Sequence, residues 1–181
     1  MNRKLNGLNR SWMASGMALA ATVAGASTAM AAGARICWEA EAAGTTQKPL
    51  RKVIGSGNKP YSGKGYLEIP WDQNKTKGKG QAVYSFNVKT PGVYTVWART
   101  YWANGCGNSI GVVVNGGTPI TLGEDGTYDK WHWVGGGARV RLNAGANKFI
   151  LKNKETGISV DQFFLTQDAD YTPTGIRKTT S

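Results

Sequence analysis

Glu39 and Glu41 stand two residues apart in the segment Ile36-Cys37-Trp38-Glu39-Ala40-Glu41-Ala42. A third carboxylate, Asp161, sits near the other end in Ile158-Ser159-Val160-Asp161-Gln162-Phe163-Phe164-Leu165. Both stretches read as strands, and the two-residue period of a strand puts Glu39 and Glu41 on one face. Carboxylates held that close repel each other unless a cation or basic groups lie between them. Three carboxylates suit a hard cation with oxygen ligands, and calcium fits best. The alternative is a solvated strand face with no ligand at all.

Cys37 and Cys106 are the only cysteines, one in the first strand and one in the glycine-flanked loop Asn104-Gly105-Cys106-Gly107-Asn108. An even count in an exported chain predicts a Cys37–Cys106 disulfide, with two separate thiols as the alternative. The two cysteines and the single His132 lack the spacing of a zinc site. Catalysis is poorly served. His132 lies between Trp131 and Trp133 with no nucleophile motif nearby. Glu124, Asp125 and Asp129 could imitate a glycosidase pair, but Gly123-Glu124-Asp125-Gly126 reads more simply as a turn.

Residues 1–31 have the layout of a signal peptide. Arg3, Lys4 and Arg10 form the charged start, Trp12 to Ala24 the apolar stretch, and Ala29-Met30-Ala31 the small-residue cleavage site, with cutting after Ala31 or Ala32. The apolar stretch is too short and interrupted for a transmembrane anchor, so the expected location is extracytoplasmic, secreted or periplasmic, with no membrane span after leader removal. Of the 22 basic residues three fall in the leader, leaving 19 against 11 acidic ones, a net of +8. Much of that excess lies in Lys48, Arg51, Lys52, Lys59, Lys64, Lys75, Lys77 and Lys79. Such a segment attracts acidic polysaccharide or anionic cell wall, or it simply solubilises loops. The export signal and the lack of a binding motif argue against nucleic acid.

Elements that would position these groups are strands and turns. Gln81–Val88, Val93–Trp102, Ser109–Val114, Trp131–Val134, Ala138–Leu142, Lys148–Lys152 and Ile158–Leu165 carry β patterning, divided by Thr90-Pro91-Gly92, Asn115-Gly116, Gly135-Gly136-Gly137 and Asn143-Ala144-Gly145. About ten short strands with 25 glycines predict an all-β antiparallel sandwich, a jelly roll. Residues 43–64 and 72–80 read as loops, 36–168 as the domain, and 169–181 as a polar C-terminal tail that frays after Tyr171. Tyr84, Phe86, Tyr94, Trp97, Phe149 and Phe163 are assigned to the core.

The ordered series Glu39-Ala40-Glu41-Ala42, Gly65-Tyr66, Val83 to Val88, Pro91 to Arg99, Trp131, Leu142 to Asn147 and Val160-Asp161-Gln162 resembles carbohydrate-binding modules of families 6 and 35. The match spans roughly residues 36 to 168. The resemblance implies a galactose-binding-like jelly roll with a structural calcium whose carboxylate ligands are Glu39, Glu41 and Asp161, completed by carbonyls of the loop after the second strand. It also implies a sugar-stacking role for Trp131. Where such modules often have an asparagine two residues before the last-strand aspartate, this chain has Ser159.

Sugar recognition combines flat aromatic faces for the C–H side of the ring with polar groups for the hydroxyls. The site residues expected on this basis are Trp131, Tyr66, Trp102, Arg99, Asn104 and Ser159, with Trp131 foremost and Tyr66 divided between core and ligand contact. Three functions follow. One is a non-catalytic, calcium-stabilised module binding polysaccharide, with acidic glycans or cell-wall polymers favoured. The second is an extracellular structural subunit that self-associates into a homo-oligomer. The third, least favoured, is a carbohydrate-active enzyme.

Overall fold

A computed structural model describes residues 33–180. The leader over residues 1–31 lies outside them. The order is β1 (Arg35–Glu39), a 3-10 turn (Ala40–Ala42), β2 (Thr45–Thr46), β3 (Arg51–Ile54), β4 (Gly65–Ile69), β5 (Gln81–Val88) and β6 (Gly92–Trp102). Then follow β7 (Ser109–Val114), β8 (Ile120–Gly123), β9 (Trp131–Leu142), β10 (Gly145–Lys152) and β11 (Ile158–Thr166). No described helix is long and apolar enough to cross a membrane.

Two antiparallel sheets face each other, as the alternating patterns require. One has the order β3-β4-β11-β6-β9 with β1 also on β11, and the other β2-β5-β10-β7-β8. β11 is the centre of the first sheet. β6 runs along one edge of it, while β4 takes residues 158–160 and β1 residues 162–166 of the other edge. All nine residues of β11 are consequently buried, the polar Ser159, Asp161, Gln162 and Thr166 included.

Between the sheets lies an aromatic nucleus. Phe149 and Phe163 are 4.7 Å apart by ring centroids, and Trp38 packs on both at 5.1 and 5.5 Å. Buried Tyr84 satisfies its hydroxyl by donating to the Ala40 carbonyl at 2.7 Å. Tyr84, Tyr94, Phe149 and Phe163 are core as expected, and Phe86 packs against it, whereas Trp97 is only half-buried and outside the core cluster.

Three local expectations are corrected by long-range pairing. β2 and β3 lie within the stretch read as loop, because Thr45–Thr46 and Arg51–Ile54 find partners in β5 and β4. Residues 131–142 form one twelve-residue strand through the glycine triplet, accommodated by a register shift between Thr95 and Trp97 of β6. The tail does not fray. Trp133 Nε1 donates to the Gly175 carbonyl at 2.8 Å, Arg177 N–H to Gln162 Oε1 at 2.9 Å, and Thr180 N–H to the Cys37 carbonyl at 2.9 Å. In return the Cys37 N–H donates to Thr180 Oγ1 at 3.0 Å. The edge of β1 left open by the sheet offers main-chain groups that the tail satisfies.

The disulfide is also corrected: both thiols are free, Cys37 buried and Cys106 exposed. Cys37 pairs with Phe164 of β11, while Trp102, four residues before Cys106, pairs with Ile158. Six residues of strand, about 20 Å, separate those two positions along β11, so the sheet carries Cys37 and the start of the Cys106 loop toward opposite ends.

Candidate functional site

The carboxylates converge where β1 ends, where the 3-10 turn begins and where β11 bulges. β11 pairs Val160 with Thr100 and Gln162 with Arg99, so Asp161 is the extra residue of a β-bulge. The bulge brings Asp161 and Gln162 to the same neighbour. The Ser62 N–H donates to Asp161 Oδ1 at 2.8 Å, and Gln162 Nε2 donates to Ser62 Oγ at 3.1 Å.

Ser62-Gly63-Lys64 roofs the two glutamates. Ser62 Oγ donates to Glu39 Oε1 at 2.8 Å and the Lys64 N–H to Glu41 Oε1 at 2.9 Å. Gly63 has φ +58°, and a Cβ there would lie 2.6 Å from Glu41 Oε1 and 3.1 Å from Glu39 Cδ. Only glycine admits so close an approach in that conformation. Burial pushes the carboxyls of Glu39, Glu41 and Asp161 above their ordinary values. Hydrogen bonds from Ser62 and Gln162 oppose the rise at Glu39, and the Arg99 and Ser62 bonds oppose it at Asp161.

The three carboxylates are not equivalent. Glu39 Oε2 and Glu41 Oε2 are buried without a hydrogen-bond partner. Two orphaned anionic oxygens are costly and are the donors a hard cation takes. Asp161 has none to spare, since its Oδ2 accepts from Arg99 Nη1 at 2.5 Å while Oδ1 holds Ser62. Among the described residues no three His, Cys, Asp or Glu side chains converge as a metal cluster. The unpartnered oxygens open to a cation are thus those of Glu39 and Glu41, while Asp161 anchors Arg99.

Arg99 links this pocket to the aromatic candidates. Its side chain is 6% exposed; both terminal nitrogens donate to the Pro60 carbonyl, at 3.4 and 3.3 Å. Its guanidinium carbon is 5.3 Å from the centroid of the Trp131 ring. Trp131 begins β9, half-buried, edge-on to Tyr66 at 5.5 Å and beside Tyr101 at 5.7 Å. Across the sheet the pairings Arg51–Glu68, Glu68–Ser159, Ser159–Tyr101 and Tyr101–Trp131 form one row on one face. At about 4.8 Å per strand the row is roughly 19 Å long.

Of the six sugar-site expectations, Trp131, Arg99, Tyr66 and Ser159 are thus brought together. Tyr66 is 2% exposed and forms the floor of the cluster, its hydroxyl accepting from the Asn58 N–H at 3.2 Å. Ser159 is buried as well. Two expectations are corrected. Trp102 is fully buried, packed edge-on against His132 at 5.8 Å, so it has no face to offer. Asn104 turns back on its own loop, accepting from the Cys106 N–H at 2.9 Å. His132 packs on Trp102, with Nε2 3.0 Å from Asp125 Oδ2.

Sequence reasoning missed the segment 55–64. Its Asn58 carbonyl accepts the Trp131 indole N–H at 2.8 Å, and Tyr61 packs on Tyr66 at 5.5 Å. The available signal was Tyr61-Ser62-Gly63-Lys64-Gly65, a glycine-spaced turn directly before a strand.

No family model matches this sequence, and no curated protein matches it. Solved structures do. The Podospora anserina GH26-CBM35 β-(1,4)-mannanase superposes with a TM-score of 0.61 at 23% identity, covering 80% of this chain and 30% of the mannanase. A family 35 carbohydrate binding module from Clostridium thermocellum matches at TM-score 0.54 and 18% identity, over 73% of this chain and 97% of the module. The chain has the fold of a family 35 carbohydrate-binding module. The CBM35 from Cellvibrio japonicus Abf62 gives the same picture, with TM-score 0.54, 18% identity, and coverage of 74% and 93%. This chain thus spans a CBM35 module nearly end to end but only about a third of the mannanase.

Proposed function

We propose that this chain is a secreted, non-catalytic polysaccharide-binding module stabilised by calcium, with acidic glycans or cell-wall polymers as ligands. The observation that carries the reading is Trp131. Its ring opens the row across the first sheet, beside Tyr101 and under a desolvated arginine, an arrangement that supplies a stacking face and a fixed donor together. Glu39 and Glu41 would hold the cation, which supplies positive charge between two buried carboxylates and so rigidifies the Ser62–Lys64 roof. Exposed Lys59 and Lys64, on the segment that closes over the Trp131 cluster, favour anionic chains.

The test is glycan-array binding by the wild type and by W131A, with urea unfolding of both. The variant is expected to lose binding at least tenfold while still unfolding cooperatively. Binding to acidic glycans at wild-type strength by W131A would refute the site. Uniform loss of binding by both proteins in high salt would assign the interaction to the basic loops instead.

A second reading, an extracellular subunit that self-associates, is favoured by the closure of residues 55–61 over the cluster through the Asn58 carbonyl. It predicts concentration-dependent assembly in sedimentation and no glycan hit on the array.

A further inference from the structure

The sandwich has two flanks where edge strands of its opposite sheets run side by side without pairing. On one, β1 faces β2 and the part of β5 that β2 leaves free, and an extended stretch of the tail lies along it. Thr180 exchanges bonds with the β1 main chain at Cys37 and lines the cavity between the strands. On the other flank β9 ends the first sheet and β8 the second, each with a single strand partner. Two cavities of about 350 and 420 Å³ form a groove there, joined at Ile120. Their walls come only from residues between Val112 and Asn143, so the tail does not reach them. The floor is Ile120 of β8 with Ala138 and Val140 of β9, apolar side chains that the core leaves partly open.

The second half of β9 gives this groove a charge. Ala138 and Val140 face the core, so Gly137, Arg139 and Arg141 lie on the outer face of the sheet. Both arginines are exposed and form no ion pair among the described residues. Their cross-strand neighbours on β6 are Thr95 and Val93, neither of them charged. Glu124 and Asp125, just past the far end of β8, are engaged by Lys154 and His132. Gly137 lies outside the left-handed region, and a Cβ there would meet nothing within 4 Å. The fold itself does not require glycine at that position, which leaves room for a neighbour's side chain.

We propose that the β8–β9 flank docks an acidic peptide in extended conformation, taken as an added strand on the β9 edge. A strand added there turns alternate residues to the groove and to the outer face. Apolar residues at every second position cover Ile120, Ala138 and Val140. The residues between them stand opposite Arg139 and Arg141, where carboxylates form cross-strand ion pairs. Main-chain bonds to the free edge hold the register. The chain's own segments fit less well. The tail is engaged on the other flank, and a second β9 paired across a two-fold axis would gather the arginines of both copies on one face.

The probe is a fluorescein-labelled octapeptide alternating Val and Glu, which at about 27 Å spans Gly137 to Leu142. Fluorescence anisotropy follows its binding to the wild type and to R139E/R141E. The wild type is expected to bind it, and R139E/R141E to bind at least about tenfold more weakly while taking up the Val-Lys octapeptide instead. Both positions are exposed, so the two proteins are expected to share a urea midpoint. A Gly-Glu octapeptide, which keeps the charge and lacks the apolar residues, is expected to bind at least about tenfold more weakly than Val-Glu. Equal binding of Val-Glu by both proteins overturns the role of the arginines, and equal binding of Gly-Glu and Val-Glu overturns the groove. No binding of Val-Glu by the wild type overturns the proposal. Self-association of R139A/R141A in sedimentation would then show the arginines to be guards of a free edge. A wild-type dimer that R139E/R141E abolishes and Val-Glu does not compete away overturns it in favour of a second copy.

Discussion

Removing Arg99 tests the centre of the site most directly. The Arg99–Asp161 pair is 6% and 0% exposed, and Asp161 keeps only the Ser62 N–H once the guanidinium is gone. Breaking a buried pair by deleting one partner costs about 3–5 kcal/mol, because the remaining charge stays desolvated. Against a total stability of roughly 5–15 kcal/mol for a domain of this size, R99M should remain folded but weakened, with a melting temperature lower by about 10 °C. Equilibrium urea unfolding followed by tryptophan fluorescence gives the free energy, and calorimetry gives the melting point. R99M/D161N should cost clearly less than the sum of the single variants, since the second change removes the stranded charge. A loss below about 1 kcal/mol in R99M, or strict additivity in the double variant, would refute the assignment of Asp161 as the arginine's anchor. Full rescue of R99M by millimolar calcium would do so too, by making Asp161 a cation ligand.

Chelation should lower the melting temperature, as a cation bound only by the folded chain stabilises it by mass action. The pH dependence has a definite sign. Glu39 and Glu41 titrate above their unfolded values, so the folded chain keeps protons that the unfolded chain has released, and without cation stability falls as pH rises through that window. Calcium displaces those protons, so its contribution should grow over the same window; a calcium effect independent of pH would exclude the two glutamates. G63A should cost about 1–2 kcal/mol from its left-handed backbone, plus the collision with Glu41, and should abolish the calcium response; an unchanged urea midpoint would count against the roof. Native alkylation should label Cys106 and spare Cys37, whose thiol is buried and pushed up to about 12, and a Cys37–Cys106 crosslink in non-reducing mass spectrometry would contradict the structure.

Much of the architecture was legible in the chain because it is written in local terms. Alternation over Gln81–Val88 and Ser109–Val114, the Asn115-Gly116 turn, and the β-branched and aromatic residues of Ile158–Leu165 each need only neighbours in sequence to be read. Glu39 and Glu41 were legible as a close pair, although the single strand expected for them ends at Glu39 and a 3-10 turn carries Glu41. The features missed were those that depend on partners far along the chain. Thr45–Thr46 and Arg51–Ile54 are too short to announce themselves and become strands only against β5 and β4. The tail is polar and looks free until Gln162 and the β1 edge supply its bonds. Cysteine parity suggested a bridge, but register along β11 sets Cys37 and the Cys106 loop toward opposite ends of the sheet.

The site divides along the same line. Composition and spacing determined which residue types were available: carboxylates, an arginine, and a tryptophan opening a strand. Tertiary structure decided their roles, through a single extra residue in β11. The bulge at Asp161 shifts the pairing between Val160 and Gln162, which turns Asp161 to Arg99 and leaves Glu39 and Glu41 with their unpartnered oxygens. A bulge is fixed by the fit of two strands to each other and has no signature in either one alone, so the partner of a buried charge follows from register, and register from the packing of the whole sheet.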